Sequence, residues 1–191
     1  MWLMLLACTS QDKVPYFDGC SDCPDDRLAW VQEVIDGDTV RFEGDENSTR
    51  LLGIDTPEVF TDSSIPECYG VEASDFAKDL LTPGTQVLLR YDTDDNVVDV
   101  VGRNLAYVFV ALDAEGGEQP IFNSSTDWAL SDDELVDKLH LNQEVLVNGY
   151  ATLIAESEFI EGLRYEETLR NAQELAIENG AGLWTACAES Q

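Results

Sequence analysis

Three short strands are predicted within residues 28–54, LAWVQEVIDGDTVRFEGDENSTRLLGI. Residues 39–43 alternate in side-chain character, which is typical of a strand with one buried face. Glycine and acidic or amide residues separate the apolar runs and favour turns at Gly37-Asp38 and Gly44–Asn47. The three predicted strands are Leu28–Ile35, Thr39–Glu43 and Thr49–Ile54.

The rest of the chain adds two strands and about three helices. The predicted strands are Gln86–Tyr91 and Arg103–Leu112. The predicted helices are Val71–Leu81, Ser131–Val147 with a kink near His140, and Glu166–Asn179. The second helix opens with a capping box, and Gly180 stands at a favourable C-cap position after the third. Five short strands with a helix after the third predict an α+β fold, a five-stranded OB-fold β-barrel.

The composition limits the chemistry that the chain can perform. Its 191 residues suffice for one domain with a substantial core. The single histidine, His140, is predicted to be a surface or half-buried helix residue, and one histidine excludes two-histidine catalysis and histidine-rich zinc sites. With 39 acids against 10 bases, the net charge is -29, so the surface repels polyanions at low salt.

Residues 1–27 are predicted to be a leader and an acidic tether. Met1–Cys8 is apolar, too short to span a membrane, and typical of the end of a secretory signal. Leu5–Cys8 is similar to the lipobox of bacterial lipoproteins, which predicts lipidation of Cys8 although no basic segment precedes it. We therefore expect an extracytoplasmic monomer, secreted or lipid-anchored to the cell envelope. The globular domain is assigned to residues 28–187, with an acidic insertion at about 113–130.

Four cysteines remain after Cys8: Cys20, Cys23, Cys68 and Cys187. An even number fits two disulfides in an oxidising compartment. A zinc site is the alternative for the C-x-x-C pair, but the second half of a zinc ribbon is missing.

Four segments combine acids and arginines in a way that suits phosphodiester chemistry. They are Val34–Val40, Arg50–Glu58, Tyr69–Ala73 and Asp99–Tyr107. Carboxylates can hold a hard cation, and arginines can hold a phosphate. Each motif taken alone also fits a purely structural interpretation: a hairpin turn, a loop, or a salt-bridge partner in an acid-rich protein.

Together with Leu146–Ala151 and Gly182–Trp184, these segments make the chain resemble the staphylococcal nuclease (thermonuclease-like) family. The resemblance covers about residues 31–184, nearly the whole globular part. It implies a nuclease that cuts DNA or RNA with Ca²⁺. Position by position, it implies that Asp38, Asp55 and the Thr56 carbonyl bind the metal. It further implies that Arg50 and Arg103 bind the phosphate and that Glu58 is the general base.

The resemblance also implies a disulfide between Cys68 and Cys187, which leaves Cys20 to pair with Cys23. The chain departs from the family at Val100 and Val101, where nucleotide-binding members carry lysine and tyrosine. Weaker substrate binding is expected from these changes. The alternative function is a non-catalytic OB-fold module of the cell envelope that binds nucleic acid or another partner.

Overall fold

The computed structural model describes residues 26–60, 65–92, 98–111, 138–154 and 161–188. The predictions for Cys8, for Cys20 and Cys23, and for the insertion at about 113–130 lie outside these residues. The strands are β1 (Asp26–Val34), β2 (Thr39–Phe42), β3 (Thr49–Leu51), β4 (Ile54–Asp55), β5 (Gln86–Arg90), β6 (Asn104–Ala111), β7 (Lys138–His140) and β8 (Thr152–Leu153). The helices are α1 (Gly70–Leu80), α2 (Leu141–Val147), α3 (Glu166–Asn179) and α4 (Leu183–Ala186).

Five strands close into a mixed β-barrel, which confirms the predicted α+β class and OB-type fold. They follow the order β3-β2-β1-β5-β6, and β3 also pairs with β6 to close the barrel. The β3–β6 pairing is parallel and the other four are antiparallel. An irregularity between Val31 and Glu33 divides β1. Because a bulge bends a strand, β1 can pair with β5 through its first half and with β2 through its second.

The barrel interior and the helices form one hydrophobic core. Val31, Val40 and Phe42 fill the barrel with fully buried side chains. The helix α2 is tied to the barrel by the buried Asn142, whose Oδ1 accepts a hydrogen bond from Val108 N at 3.0 Å. Its Nδ2 donates to Leu52 O at 3.0 Å, so one side chain satisfies backbone groups on both sides of the interface.

Two sequence predictions are wrong at the level of elements. Lys138–His140 form the strand β7 instead of continuing a helix, and the helix begins only at Leu141. His140 lies opposite Phe109 of β6 in the register and stacks on its ring with 4.6 Å between ring centroids, so it is buried and not at the surface. The barrel also begins at Asp26, within the predicted tether, because Asp26 accepts two hydrogen bonds from Arg90 at 2.6 and 2.7 Å.

The last helices agree with the sequence patterns more closely. The helix α3 spans Glu166–Asn179 as predicted, and Gly180 ends it in the left-handed conformation with φ 59°. Four helices are present in the described part of the chain against about three predicted, the additional one being α4, a helix of four residues. None of the helices within the described ranges is long and apolar enough to cross a membrane.

The C-terminal helices are fixed by a backbone contact and a covalent bond. Leu183 N donates to Gly149 O at 2.8 Å, and a Cβ built on Gly182 would lie 2.3 Å from that same oxygen. Side chains cannot be accommodated at this approach. Cys187 follows α4 and forms a disulfide with Cys68, just before α1, which confirms the pairing expected from the resemblance.

Candidate active site

The candidate site starts from Asp38, a buried carboxylate immediately before β2. Its Oδ2 accepts a hydrogen bond from Thr56 N at 2.9 Å, and its Oδ1 accepts one from the Thr39 hydroxyl at 2.9 Å. The backbone carries a turn here, because Asp38 N donates to Asp36 Oδ1 at 3.1 Å. The orientation of the Asp38 carboxylate is therefore fixed by two different segments of the chain.

Arg50 contacts both Asp38 and a second acidic residue, Asp55. It lies on β3 opposite Thr39 of β2, so the sheet register places it beside Asp38. Its Nη2 is 3.3 Å from Asp38 Oδ2 and also contacts Asp55 Oδ1 at the end of β4. Oxygens from two carboxylates thus converge on one guanidinium nitrogen. Asp38, Arg50 and Asp55, which the sequence predicted as site residues, lie together.

The electrostatics of this group reflect burial and crowding of negative charge. Burial raises the pKa of Asp38 above its ordinary value, and the charge of Asp36 adds to this effect while Arg50 opposes it. Burial alone would lower the pKa of Arg50, but the carboxylates of Asp38 and Asp55 outweigh burial and raise the pKa above its ordinary value. The guanidinium is thus held in its charged form, and it offsets only part of the cost of a negative charge on Asp38.

Glu58 belongs to the same electrostatic cluster. Its pKa is raised, first by desolvation and then by the negative charges of Asp36 and Asp38, while Arg50 counteracts them. Its backbone is held by Glu67, because Glu58 N donates to Glu67 Oε2 at 3.0 Å and Glu67 N donates to Glu58 O at 2.8 Å. A carboxylate with raised proton affinity lies beside the acids and the arginine of the site.

Arg103 lies next to the cluster and is oriented by a different partner. It immediately precedes β6, whose Leu105 is the register partner of Arg50 on β3. Its Nε donates to Asp99 Oδ2 at 2.7 Å, and its backbone N–H donates to Asp99 Oδ1 at 2.8 Å. Burial would raise the pKa of Asp99, but these two hydrogen bonds from Arg103 lower it below its ordinary value. The structure thus places Arg103 at the edge of the site, ion-paired to Asp99 and not to Asp38 or Asp55.

The oxygen donors at the site fit a hard cation. The carboxylates of Asp38 and Asp55 are ligands of the type that Ca²⁺ takes, and their oxygens already approach a common point at the Arg50 nitrogen. Thr56, whose carbonyl is the third predicted ligand, is held against Asp38 through its backbone N–H. Within the described ranges, no group of three or more histidine, cysteine, aspartate or glutamate side chains surrounds one point. The remaining ligands of a cation would therefore be water, backbone or substrate oxygens.

Sequence reasoning missed three residues that support the site: Asp36, Glu67 and Asp99. Asp36 and Asp99 each bind backbone N–H groups two residues ahead, a local turn pattern that the spacing of the acids could have indicated. Glu67 carries no such signal, because its partner Glu58 is nine residues away and outside any regular element.

The turn beside Arg103 presents apolar side chains to solvent. Gly102 N donates to Asp99 O at 3.0 Å, which closes a turn with Val100 and Val101 at its tip. Val100 is fully exposed and Val101 is 72 % exposed. Neither side chain supplies a charge or an aromatic ring to a substrate. This agrees with the sequence, in which these two valines stand where lysine and tyrosine were expected from the resemblance.

Sequence comparisons point to one family for this arrangement. Residues 48–186 match the family described as staphylococcal nuclease homologue, which is well over half of the chain. A thermonuclease of Staphylococcus hyicus is 43% identical over 82 residues, covering 42% of this chain and 47% of the relative. An endonuclease of Bacillus subtilis, YncB, is 38% identical over 82 residues, covering 42% of this chain and 38% of the relative.

A longer match comes from an archaeon. An uncharacterized protein of Methanocaldococcus jannaschii is 29% identical over 172 residues, covering 81% of this chain and 70% of that protein. The match to the Staphylococcus hyicus thermonuclease spans about half of that relative's length. The fold, the site residues and the extent of the family match agree, and this chain belongs to the staphylococcal nuclease homologue family.

Proposed function

We propose that this protein is a Ca²⁺-dependent nuclease that hydrolyses phosphodiester bonds of DNA, RNA or both. The observation that carries the proposal is the convergence of the Asp38 and Asp55 oxygens on the Nη2 atom of Arg50. Metal-assisted phosphodiester hydrolysis uses acids that bind a cation beside a positively charged group that binds the phosphate, and Asp38, Asp55 and Arg50 have the chemistry for these two tasks. Family membership and the names of the thermonuclease and endonuclease relatives support the same reaction class.

Asp38, Asp55 and the Thr56 carbonyl would hold the cation. When bound there, Ca²⁺ would neutralise charge on the phosphate and polarise its phosphorus–oxygen bonds. Two hydrogen bonds keep the Asp38 carboxylate in place, so it needs little reorganisation to bind. The undercompensated charge of this buried group also favours a cation over an empty site.

The two arginines would bind the substrate phosphate. A guanidinium has five N–H donors, so Arg50 can keep its contact with the carboxylates and still donate to a phosphate oxygen. Asp99 holds Arg103 through Nε, which leaves the terminal amino groups of Arg103 to face the leaving oxygen. Donors fixed before the reaction stabilise developing charge without paying for reorientation.

Glu58 would accept the proton of the attacking water. Its raised pKa brings its proton affinity closer to what a general base requires near neutral pH. The electrostatic influence of Arg50 and Asp38 on Glu58 supports a position close to the phosphate that Arg50 would bind. The water would lie between Glu58 and the phosphorus, opposite the leaving oxygen that faces Arg103.

The proposed function is tested by the release of acid-soluble nucleotides from DNA and from RNA, with Ca²⁺ or with a chelator. Cleavage with Ca²⁺ and none with the chelator is the expected result. The Arg50→Ala variant should lose cleavage while circular dichroism shows a folded protein. Arg170→Ala is the matched control, because Arg170 is an exposed arginine on α3 that pairs with Glu166. It removes the same charge and should leave the rate unchanged.

Two results would contradict this assignment. Wild-type protein that binds an oligonucleotide but does not cut it would support the non-catalytic binding module instead. Full activity in Arg50→Ala would show that the phosphate is bound elsewhere.

We also propose that the protein acts outside the cytoplasm as a monomer, secreted or lipid-anchored at Cys8. The disulfide between Cys68 and Cys187 supports this location, because such bonds persist in oxidising compartments. Metabolic labelling with a radioactive fatty acid should mark the wild-type protein and not the Cys8→Ala variant. Equal labelling of both proteins would exclude Cys8 as the attachment site.

A further inference from the structure

Glu58 and Glu67 form a reciprocal pair that joins two separate stretches of backbone. Glu58 N donates to the side-chain Oε2 of Glu67 at 3.0 Å, and Glu67 N donates to the backbone oxygen of Glu58 at 2.8 Å. Both backbone polar groups of Glu58 are therefore satisfied by one residue. Within the described residues, the Glu58 carboxylate itself makes no hydrogen bond or ion pair, and so it remains available to a substrate water.

Glu67 is itself anchored on its other side. Gly70 N at the start of α1 donates to Glu67 O at 3.0 Å. A Cβ built on Gly70 would lie 2.7 Å from Glu58 O, so α1 packs directly against the backbone of Glu58. The next residue after Glu67 is Cys68, whose disulfide to Cys187 closes a sequence separation of 119 residues. Through its carboxylate and its backbone, Glu67 thus connects Glu58 to the helix α1 and to the C-terminal end of the domain.

We propose that Glu67 is a positioning residue for Glu58, and that the Cys68–Cys187 disulfide keeps Glu67 in place for this task. The inference rests on the proposed nuclease function. A general base must lie within hydrogen-bond reach of the water proton, and displacement of a catalytic group by about 1 Å can cost on the order of 10²-fold in rate. Loss of the Glu67 acceptor frees the backbone N–H of Glu58 and allows such a displacement.

The test compares Glu67→Ala with Glu67→Gln in the full chain, assayed on one DNA duplex with Ca²⁺. We expect kcat of Glu67→Ala to fall by about ten- to a hundredfold while KM changes by less than about twofold, because Glu67 does not touch the phosphate. Glu67→Gln keeps an acceptor oxygen for Glu58 N and should retain most of the wild-type kcat. Thermal unfolding and mass spectrometry confirm that both variants fold and keep the disulfide.

The matched control is Glu72→Ala. Glu72 is an exposed acid in the first turn of α1, the helix that follows Glu67, so its removal changes the net charge by the same amount. It should leave kcat unchanged. A Glu72→Ala variant with the same loss as Glu67→Ala would show that charge and not position is responsible, and would overturn the inference.

The contribution of the disulfide is measured with the Cys68→Ser/Cys187→Ser double variant below its unfolding temperature. Its kcat should fall in the same direction as that of Glu67→Ala, and full kcat would overturn this part of the inference. An active wild-type enzyme with an equally active Glu67→Ala variant would overturn the positioning role and leave the proposed function standing. Wild-type protein without nuclease activity would instead overturn the proposed function, and this inference with it.

Discussion

The Asp38 carboxylate is buried and is held by neutral donors from Thr39 and Thr56 in addition to the Arg50 guanidinium. Taking a carboxylate out of water is costly unless other groups compensate its charge. Burial and the nearby Asp36 raise the pKa of Asp38, so the compensation is incomplete. A divalent cation that joins Asp38 and Asp55 would remove this deficit.

Calcium should therefore stabilise the folded protein independently of catalysis. A ligand at one hundred times its dissociation constant adds about 2.7 kcal/mol to the free energy of unfolding. We expect the thermal unfolding midpoint to rise when Ca²⁺ replaces a chelator, as measured by differential scanning fluorimetry. The Asp55→Asn variant is the control, because Asp55 is exposed and its loss should not disturb the core. An equal rise in that variant would place the cation elsewhere.

His140 makes the stability dependent on pH. Burial lowers its pKa to about 3, and the positive charge of Arg90 contributes. The rings of Tyr107 and Tyr165 also face it, and none of these neighbours provides a negative charge at neutral pH. Between about pH 6.5 and pH 3, the unfolded chain binds a proton that the folded chain does not. Stability should therefore fall with decreasing pH over this window, by up to about 1.4 kcal/mol per pH unit.

The measurement is urea unfolding of the wild type and His140→Phe at several pH values between 7 and 4. Phenylalanine can keep the stack on Phe109 and cannot be protonated. Because all other titrating groups are common to both proteins, the difference between their slopes isolates His140. Parallel curves for the two proteins would contradict the predicted coupling.

Among the elements, the turn before β6 has the clearest consequence for substrate binding. Val100 at its tip is fully exposed, close to Arg103, and carries no charge. The Val100→Lys variant should bind substrate more tightly, because an exposed ion pair adds about 0.2–1 kcal/mol and would lower KM by roughly 1.4- to fivefold. Steady-state kinetics at low salt provide the measurement, with kcat expected to remain unchanged.

The control for this substitution is Ile177→Lys on α3, which changes the net charge equally at another exposed apolar position. If both variants lower KM alike, the effect is a general reduction of repulsion and not a contact at the turn.

The barrel strands could be predicted because their sequences alternate and end at turn residues. The strand β7 could not, since Lys138–His140 form a strand only through pairing with Phe109–Ala111 of β6, which is distant in sequence. The start of the barrel at Asp26 is hidden from the sequence for a similar reason, because its acidic side chain is buried in an ion pair with Arg90, 64 residues away. In both cases, a contact distant in sequence overrides the local pattern.

The candidate site was predictable to the extent that strand pairing determines it. Asp38 and Arg50 meet because β2 and β3 are neighbours, and Asp55 follows shortly after β3. The groups that hold the functional side chains in position could not be read from the sequence. The Glu67 carboxylate that fixes Glu58 depends on the path of the chain into α1, which no local spacing encodes.

At the scale of the whole molecule, the charge of -29 opposes the approach of a polyanion. Charge repulsion extends over about 30 Å at 0.01 M salt but only about 8 Å at 0.15 M. We therefore expect kcat/KM on long DNA to rise as NaCl increases over this range at constant Ca²⁺. A basic nucleic-acid-binding protein would show the opposite trend, because salt weakens its phosphate contacts.

Initial rates on long DNA and on a dinucleotide with a single phosphodiester bond separate long-range charge repulsion from local contacts with the phosphate. The dinucleotide carries little charge, so its cleavage should depend only weakly on salt. A steep fall in kcat/KM on long DNA over the same range would contradict the prediction. It would indicate that contacts between basic side chains and the phosphates determine substrate binding.

The touching backbones of Gly149 and Gly182 also govern how the domain acquires its covalent bond. Cys187 lies just beyond α4, and this helix begins where Gly182 closes onto Gly149 O. We therefore expect correct pairing of Cys187 with Cys68 to depend on this close approach of the two backbones. A single added methyl group at either glycine should displace Cys187 and leave Cys68 free to bond with another cysteine, and the defect should emerge as scrambled isomers during oxidative refolding.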